Sequence, residues 1–155
     1  MMFSHCLVYP INETQICLGL KKRGHGMGYY NGFGGKLLAG ESPEAAAVRE
    51  LHEECHIEAA EDSLEAVAAL TLHYPDDFTV HMKVFLLPTW QGESQATEEM
   101  EPHWFSFTDL PLATMWQTDA AWLPRVLAGE RLTGQAKFAA DGVTVLTQEY
   151  QPMQF

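Results

Sequence analysis

The sequence predicts one α/β domain, a mixed β-sheet sandwiched between α-helices. Three observations carry this expectation. A length of 155 residues suits a single hydrophobic core. The hydrophobic fraction of 46%, set among 9 basic and 21 acidic side chains, is that of a globular chain. Strand-like patterns dominate, broken by one helix in the middle and a second late in the chain. No internal repeat, low-complexity tract or linker divides residues 1–155, which read as one domain.

Residues 3–11 and 15–21 read as strands, with Asn12-Glu13-Thr14 as a tight turn between them. The run from Lys21 to Gly28, KKRGHGMG, is the only dense basic patch. Its glycines predict a loop whose backbone can approach a ligand. It fits neither the P-loop nor the G-x-G-x-x-G pattern. Asn31-Gly32-Phe33-Gly34-Gly35-Lys36 then leads into an acidic segment. Ser42 followed by Pro43 is a favoured helix start, and Ala45 to Ala47 are strong helix formers. Residues 64–74 and 78–88 are apolar-rich and flank Pro75-Asp76-Asp77, as a long hairpin would. Residues 91–103 read as an acidic loop carrying Glu98, Glu99 and Glu101. Residues 104–107 read as a short strand, and Thr108 to Pro111 as the opening of a short helix. Asp119 is expected to cap a helix over 120–127 that ends at Gly129. Residues 131–139 and 143–150 fit a closing hairpin around Asp141-Gly142.

The first helix carries the chemistry. Glu50, Glu53 and Glu54 stand at i, i+3 and i+4, so they share one face. Like charges at this spacing repel by ~0.2–0.5 kcal/mol per pair in isolated helices. A divalent cation turns that repulsion into a site, and hard carboxylate oxygens suit Mg2+, Mn2+ or Ca2+. The plain alternative is a solvated acidic face.

The surrounding residues favour the site. Gly35, Glu41, Arg49, Glu50, Leu51, Glu53, Glu54 and Ile57 resemble the Nudix box, G-x5-E-x7-R-E-U-x-E-E-x-G-U with U apolar. One position departs, since His56 replaces the second glycine of the box. An overlapping pattern, His52-Glu53-Glu54-Cys55-His56, is H-E-x-x-H, the zinc metalloprotease signature. That reading leaves Glu41, Arg49 and Glu50 without a role, and three fixed residues recur by chance far more often than the eight of the box. The zinc pattern is therefore expected to be coincidental.

Beyond the box, the chain resembles the Nudix branch of MutT-homologue type that hydrolyses oxidised purine nucleoside triphosphates. Lys21-Lys22-Arg23-Gly24, Asn31 to Lys36, Glu99-Met100, Trp104-Phe105, Trp116, Asp119, Trp122, Pro124 and Lys137-Phe138 carry that likeness. The resemblance implies the Nudix fold and Mg2+-dependent cleavage of a triphosphate to monophosphate and pyrophosphate, with Mn2+ as a substitute cation. Glu50, Glu53 and Glu54, with the Gly35 carbonyl, would hold the metal, and Arg49 would hold a glutamate in place. Glu53, Glu54 and the loop residue Glu99 are the general-base candidates, and Glu99 is a metal-ligand candidate too. Trp116 would stack on the base, Asn31 and Asp119 would meet its polar edge, and Met100 and Phe33 would wall the pocket. Lys21 or Lys22 would touch phosphate. Two departures bear on specificity. Members of the branch carry two adjacent aspartates ahead of the tryptophan of the late helix; here Thr118 and Asp119 stand there. His25 replaces an aromatic apolar residue.

The formal net charge of −12 argues against a nucleic-acid polymer or an anionic membrane as partner. A small nucleotide remains compatible, since a metal and a few local cations can reverse the field at a site. Apolar runs fall short of a membrane span, and no secretory signal is visible. Cys6, Cys17 and Cys55 are odd in number and scattered, as reduced thiols of a cytoplasmic protein would be, and a monomer is expected. Two other functions compete: a Nudix pyrophosphohydrolase for another nucleoside diphosphate derivative, and a non-catalytic nucleotide-binding domain. The intact Arg-Glu and Glu-Glu pairs speak against the second.

Overall fold

The structure, a computed structural model, describes residues 2–153. In chain order the elements are β1 (His5–Pro10), β2 (Gln15–Lys21), β3 (Tyr30–Asn31), β4 (Phe33–Lys36), α1 (Pro43–Cys55), β5 (Glu65–His73), β6 (Thr79–Leu87), β7 (Met100–Ser106), α2 (Gln117–Leu127), β8 (Leu132–Phe138) and β9 (Val145–Pro152). Two sheets form rather than one. The larger is mixed, in the order β4-β1-β6-β5-β8-β9, and the smaller is antiparallel, in the order β3-β2-β7. The turn at 12–14 is present, with Asn12 Oδ1 accepting the amides of Thr14 at 3.0 Å and Gln15 at 2.7 Å. It hands the chain from one sheet to the other; β1 and β2 share no ladder, and beside the turn Ile11 and Ile16 form an isolated bridge.

Period-2 alternation decides which side chain meets which helix. Cys6 and Val8 of β1 and Phe85 and Leu87 of β6 pack with Ala46, Ala47, Leu51 and Cys55 of α1. Their neighbours Tyr9, Val84 and Leu86 face the other way, against Trp122, Leu123 and Val126 of α2. The larger sheet is thus sandwiched between the two helices, as the sequence predicts. Ser42 Oγ accepts the Ala45 amide at 3.0 Å and starts α1. The helix ends at His56, whose φ of 67° is left-handed; this explains why a glycine suits that position and a histidine is less comfortable there. The long hairpin β5–β6 turns through Asp76 and Asp77, both at positive φ, a pairing that matches strand twist.

Three boundaries differ from expectation. β7 begins at Met100, inside the segment expected to be loop. It is an edge strand, and an edge tolerates Pro102. α2 begins two residues before Asp119, and its N-cap is Trp116, so Asp119 lies in the first turn and caps nothing. The short strands β3 and β4 fall in the glycine-rich stretch, where no apolar alternation announces them. No helix among the described residues is long and apolar enough to cross a membrane.

Candidate active site

Arg49 ties the acidic segment together. Its Nε and Nη2 each donate to Glu41 at 2.8 Å, a bidentate pair, while Nη1 donates to Glu50 at 2.8 Å and to Glu53 at 3.3 Å. Glu41 also accepts the Leu38 amide at 2.9 Å. Those hydrogen bonds, the arginine's foremost, hold its carboxyl down at about 2. The box's arginine and first glutamate are therefore a brace that joins the entry loop to α1.

The strand β4 comes close beneath this brace. The Gly34 amide donates to Glu54 at 2.7 Å. A Cβ on Gly35 would sit 3.0 Å from a Glu50 carboxylate oxygen, so a larger residue there would push the carboxylate off the backbone it lies against. Glu54 is 6% exposed, and burial lifts its carboxyl to about 8, against the opposing pull of the Gly34 amide. Burial likewise raises Glu50, with Arg49 opposing. Glu99, on the loop before β7, pairs with Lys21 and with Arg23 at 3.1 Å, and the Lys21 hydrogen bond lowers its carboxyl.

One depression is lined by Glu50, Glu53, Glu54 and Glu99 together with Gly34, Gly35, Lys21 and Arg23. Its donors are hard oxygens, the chemistry that Mg2+ and its neighbours take. Among the described residues no three carboxylates are already gathered in coordinating positions. Glu50 is turned to Arg49 and Glu99 to two cations. The donor set fits a divalent cation, and Glu99 would have to leave its lysine and arginine partners to join it.

A second, deeper cavity opens from the same place. Lys21, Asn31, Met100, Trp116 and Asp119, five of the six expected substrate-binding residues, all line it. Phe33, the sixth, does not. It is fully buried in the core beneath α1, because its side chain projects from β4 to the face opposite the cavity. The Trp116 indole N–H donates to Asn31 Oδ1 at 2.6 Å, and Asn31 Nδ2 donates to the Tyr29 carbonyl at 2.9 Å. Asn31 thus keeps one N–H for a ligand. Trp116 is flanked by His25 and Tyr29, ring centroids 5.1 Å and 5.2 Å away. Asp119 lies deep in the molecule with its carboxylate open to the cavity, and burial lifts it to about 7. Lys22 points elsewhere, to the Thr97 carbonyl at 2.7 Å.

Sequence reasoning missed the cavity's apolar wall of Leu70, Leu72, Tyr74, Met82 and Phe138. Alternation along β5, β6 and β8 marks Leu70, Leu72, Met82 and Phe138 as facing one side, but not as facing a ligand rather than a core. His52 and His56 stand exposed at the end of α1, ring centroids 6.0 Å apart, and line neither cavity.

Comparison with known proteins agrees with the geometry. The family described as the NUDIX domain matches residues 4–126. The chain belongs to the Nudix hydrolase family. Curated Nudix relatives include the oxidized purine nucleoside triphosphate hydrolases of Danio rerio and Mus musculus. The first is 35% identical over 140 residues, 90% of this chain and 88% of the relative. The second is 36% identical over 146 residues, 92% and 90% respectively. The crystal structure of a MutT protein from Bacillus halodurans superposes with a TM-score of 0.81 at 22% identity, over 97% of this chain and 98% of that one, which establishes the shared fold. Nudix hydrolases act with divalent metal ions and on small nucleotide substrates.

Proposed function

We propose that this Nudix hydrolase cleaves purine nucleoside triphosphates with an oxidised base, of the 8-oxo-dGTP type, to the monophosphate and pyrophosphate. The working cation is Mg2+, with Mn2+ as a substitute. The observation that carries the reading is continuity. Lys21, Gly34, Gly35 and Glu54 line both the carboxylate depression and the deeper cavity, so a triphosphate and a purine on one molecule can fill both at once. The names of the two relatives aligned over nine-tenths of the chain support the same substrate class.

Glu50, Glu53, Glu54 and Glu99 would hold the cation, with the Gly35 carbonyl beside them. When bound, it supplies charge neutralisation for the phosphates and activation of water. Arg49 keeps Glu50 and Glu53 oriented. Glu53, Glu54 or Glu99 takes the proton from the attacking water. Lys21, displaced from Glu99, becomes available to a phosphate oxygen. At the other end, the Trp116 ring offers a stacking face, worth ~1–3 kcal/mol per base in nucleic-acid complexes. Asp119 accepts from the base edge, and the remaining Asn31 N–H donates to a base carbonyl. The protein works in this reading as a cytoplasmic monomer that sanitises the nucleotide pool.

The test is a panel of nucleotides with Mg2+, read as phosphate released through added pyrophosphatase. Oxidised purine triphosphates should be turned over fastest. Preference for a nucleotide sugar or a dinucleotide would replace this reading with another Nudix activity, and no turnover of any nucleotide would leave a binding domain.

A further inference from the structure

Two buried donors have no hydrogen-bond partner of good geometry among the described residues: the indole Nε1–H of Trp122, which lines the cavity, and the hydroxyl of Tyr9, which lies behind the cavity-lining Gly32. Both side chains are fully buried, and their rings meet edge to face at 6.1 Å. Buried donors are almost always paired in folded proteins, so two orphans side by side call for a role. Their surroundings supply it. The tip of the Tyr9 ring presses against Gly32, where a Cβ would fall 2.7 Å from Cζ, and Gly32, Trp122 and Asp119 all line the cavity. The Trp122 N–H is directed at the Asp119 carboxyl and the Tyr9 oxygen lies by the Gly32 amide, neither in good hydrogen-bond geometry; the Asp119 charge bears on the Tyr9 phenol, whose O–H is left an unpaired donor. Asp119 itself accepts one long hydrogen bond, from Thr118 at 3.4 Å. Lys21, the lysine that lines the cavity, is engaged with Glu99 instead.

We propose that Tyr9 and Trp122 are positioning residues for base recognition, whose donors close on the Asp119 carboxylate when a purine covers it. The inference rests on the purine reading given above. A carboxylate offers about four lone-pair sites. A guanine-type edge brings two adjacent donors, Thr118 brings one, and the Tyr9 and Trp122 donors compete for what remains, orienting the pair presented to the base. A hydrogen-bonded network of this kind fixes one carboxylate rotamer in a low-dielectric cavity.

Tyr9→Phe removes only the hydroxyl. If that oxygen were structural, losing an unpaired buried group would leave nucleotide binding alone and hold or raise the melting temperature. The proposal instead predicts a KM for 8-oxo-dGTP raised about tenfold, the effect of losing one hydrogen bond to a charged group, with kcat lowered less than about threefold. The Kd of 8-oxo-dGMP by calorimetry should rise by the same factor, and in an Asp119→Asn background the Tyr9→Phe change should add nothing further. Trp122→Phe, which keeps an aromatic ring and loses the N–H, should show the same pattern. KM and Kd within twofold of wild type in folded Tyr9→Phe protein, or an equal effect with Asp119 already replaced, would overturn the proposal alone. Wild-type protein that turns over no purine triphosphate would overturn the functional reading, and this inference with it.

Discussion

Replacing Asp119 with asparagine should stabilise the ligand-free protein, by an amount that grows with pH. Asp119 sits deep beside Trp122, and burial lifts its carboxyl from 3.8 to about 7. Between those values the folded protein keeps the proton while the unfolded chain releases it. Unfolding is then favoured progressively as pH rises, and stability falls across that window. At 1.36 kcal/mol per unit the ceiling is roughly 4 kcal/mol. The carboxylate opens onto the cavity, where solvent reaches it, so the realised figure is nearer ~1–2 kcal/mol. Asparagine keeps the shape and carries no charge to desolvate. For a domain of this size ~1 kcal/mol moves the midpoint by roughly 2–4 °C, so the variant should melt ~2–8 °C higher at pH 8. Thermal melts of both proteins from pH 4 to 8.5, without nucleotide, make the measurement. The two should nearly coincide at pH 4, diverge through pH 7 and run parallel above it. A difference independent of pH, or a wild type that is more stable at pH 8, would refute the reasoning. The same variant should lose nucleotide affinity, which makes Asp119 a residue kept for function at a cost in stability.

Three further outcomes are expected. Glu53→Gln and Glu54→Gln keep shape and remove charge, and each should lower kcat by at least ~10^2; activity within threefold of wild type in both would remove these residues from the site. Gly34→Ala would place a Cβ 2.1 Å from the Cys6 carbonyl, within the β1–β4 pairing, and should cost more than ~3 kcal/mol or block folding; a melting point within about 3 °C of wild type would contradict that packing. His52→Ala should leave Mg2+-dependent hydrolysis nearly intact, and elemental analysis of the wild type should find no stoichiometric zinc; one tightly held zinc per chain, lost in that variant, would revive the protease pattern.

Much of this was legible in the sequence because it is local. Ser42, Pro43 and the alanines that follow specify α1 within a few residues, and the i, i+3, i+4 spacing puts Glu50, Glu53 and Glu54 on one side of it. The role of Arg49 follows from the box, though its grip on Glu41, eight residues earlier, is a matter of geometry. What stayed hidden is long-range. Phe33 and Asn31 are two residues apart, yet one enters the core and the other the cavity, because Gly32 breaks the chain between β3 and β4. That β1 and β2 join different sheets depends on partners at 82–87 and 100–106, which no turn residue announces. The orphaned donors of Tyr9 and Trp122 follow from what surrounds them, and nothing in their own sequence neighbourhood marks it.

The cavity is expected to prefer an oxidised purine over the normal one. Oxidation of guanine at C8 adds a carbonyl and places a proton on N7, while the Watson–Crick edge keeps its donors. In the proposed reading Asp119 accepts from that edge in both bases and so cannot tell them apart. The distinction must come from Asn31, the backbone near it or a rotated base. A single buried polar mismatch costs ~1–3 kcal/mol, a preference of roughly tenfold to a hundredfold. With Thr118 in place of a second carboxylate, 2-oxo-dATP, whose edge has a different donor pattern, should be used less well. Competition between 8-oxo-dGTP, dGTP and 2-oxo-dATP for wild type and Asn31→Ala measures all of this directly. A kcat/KM at least ~10 times higher for 8-oxo-dGTP than for dGTP, narrowed by Asn31→Ala, is the predicted result. Equal specificity constants for the oxidised and normal guanine nucleotides would contradict it and leave only the Nudix chemistry standing.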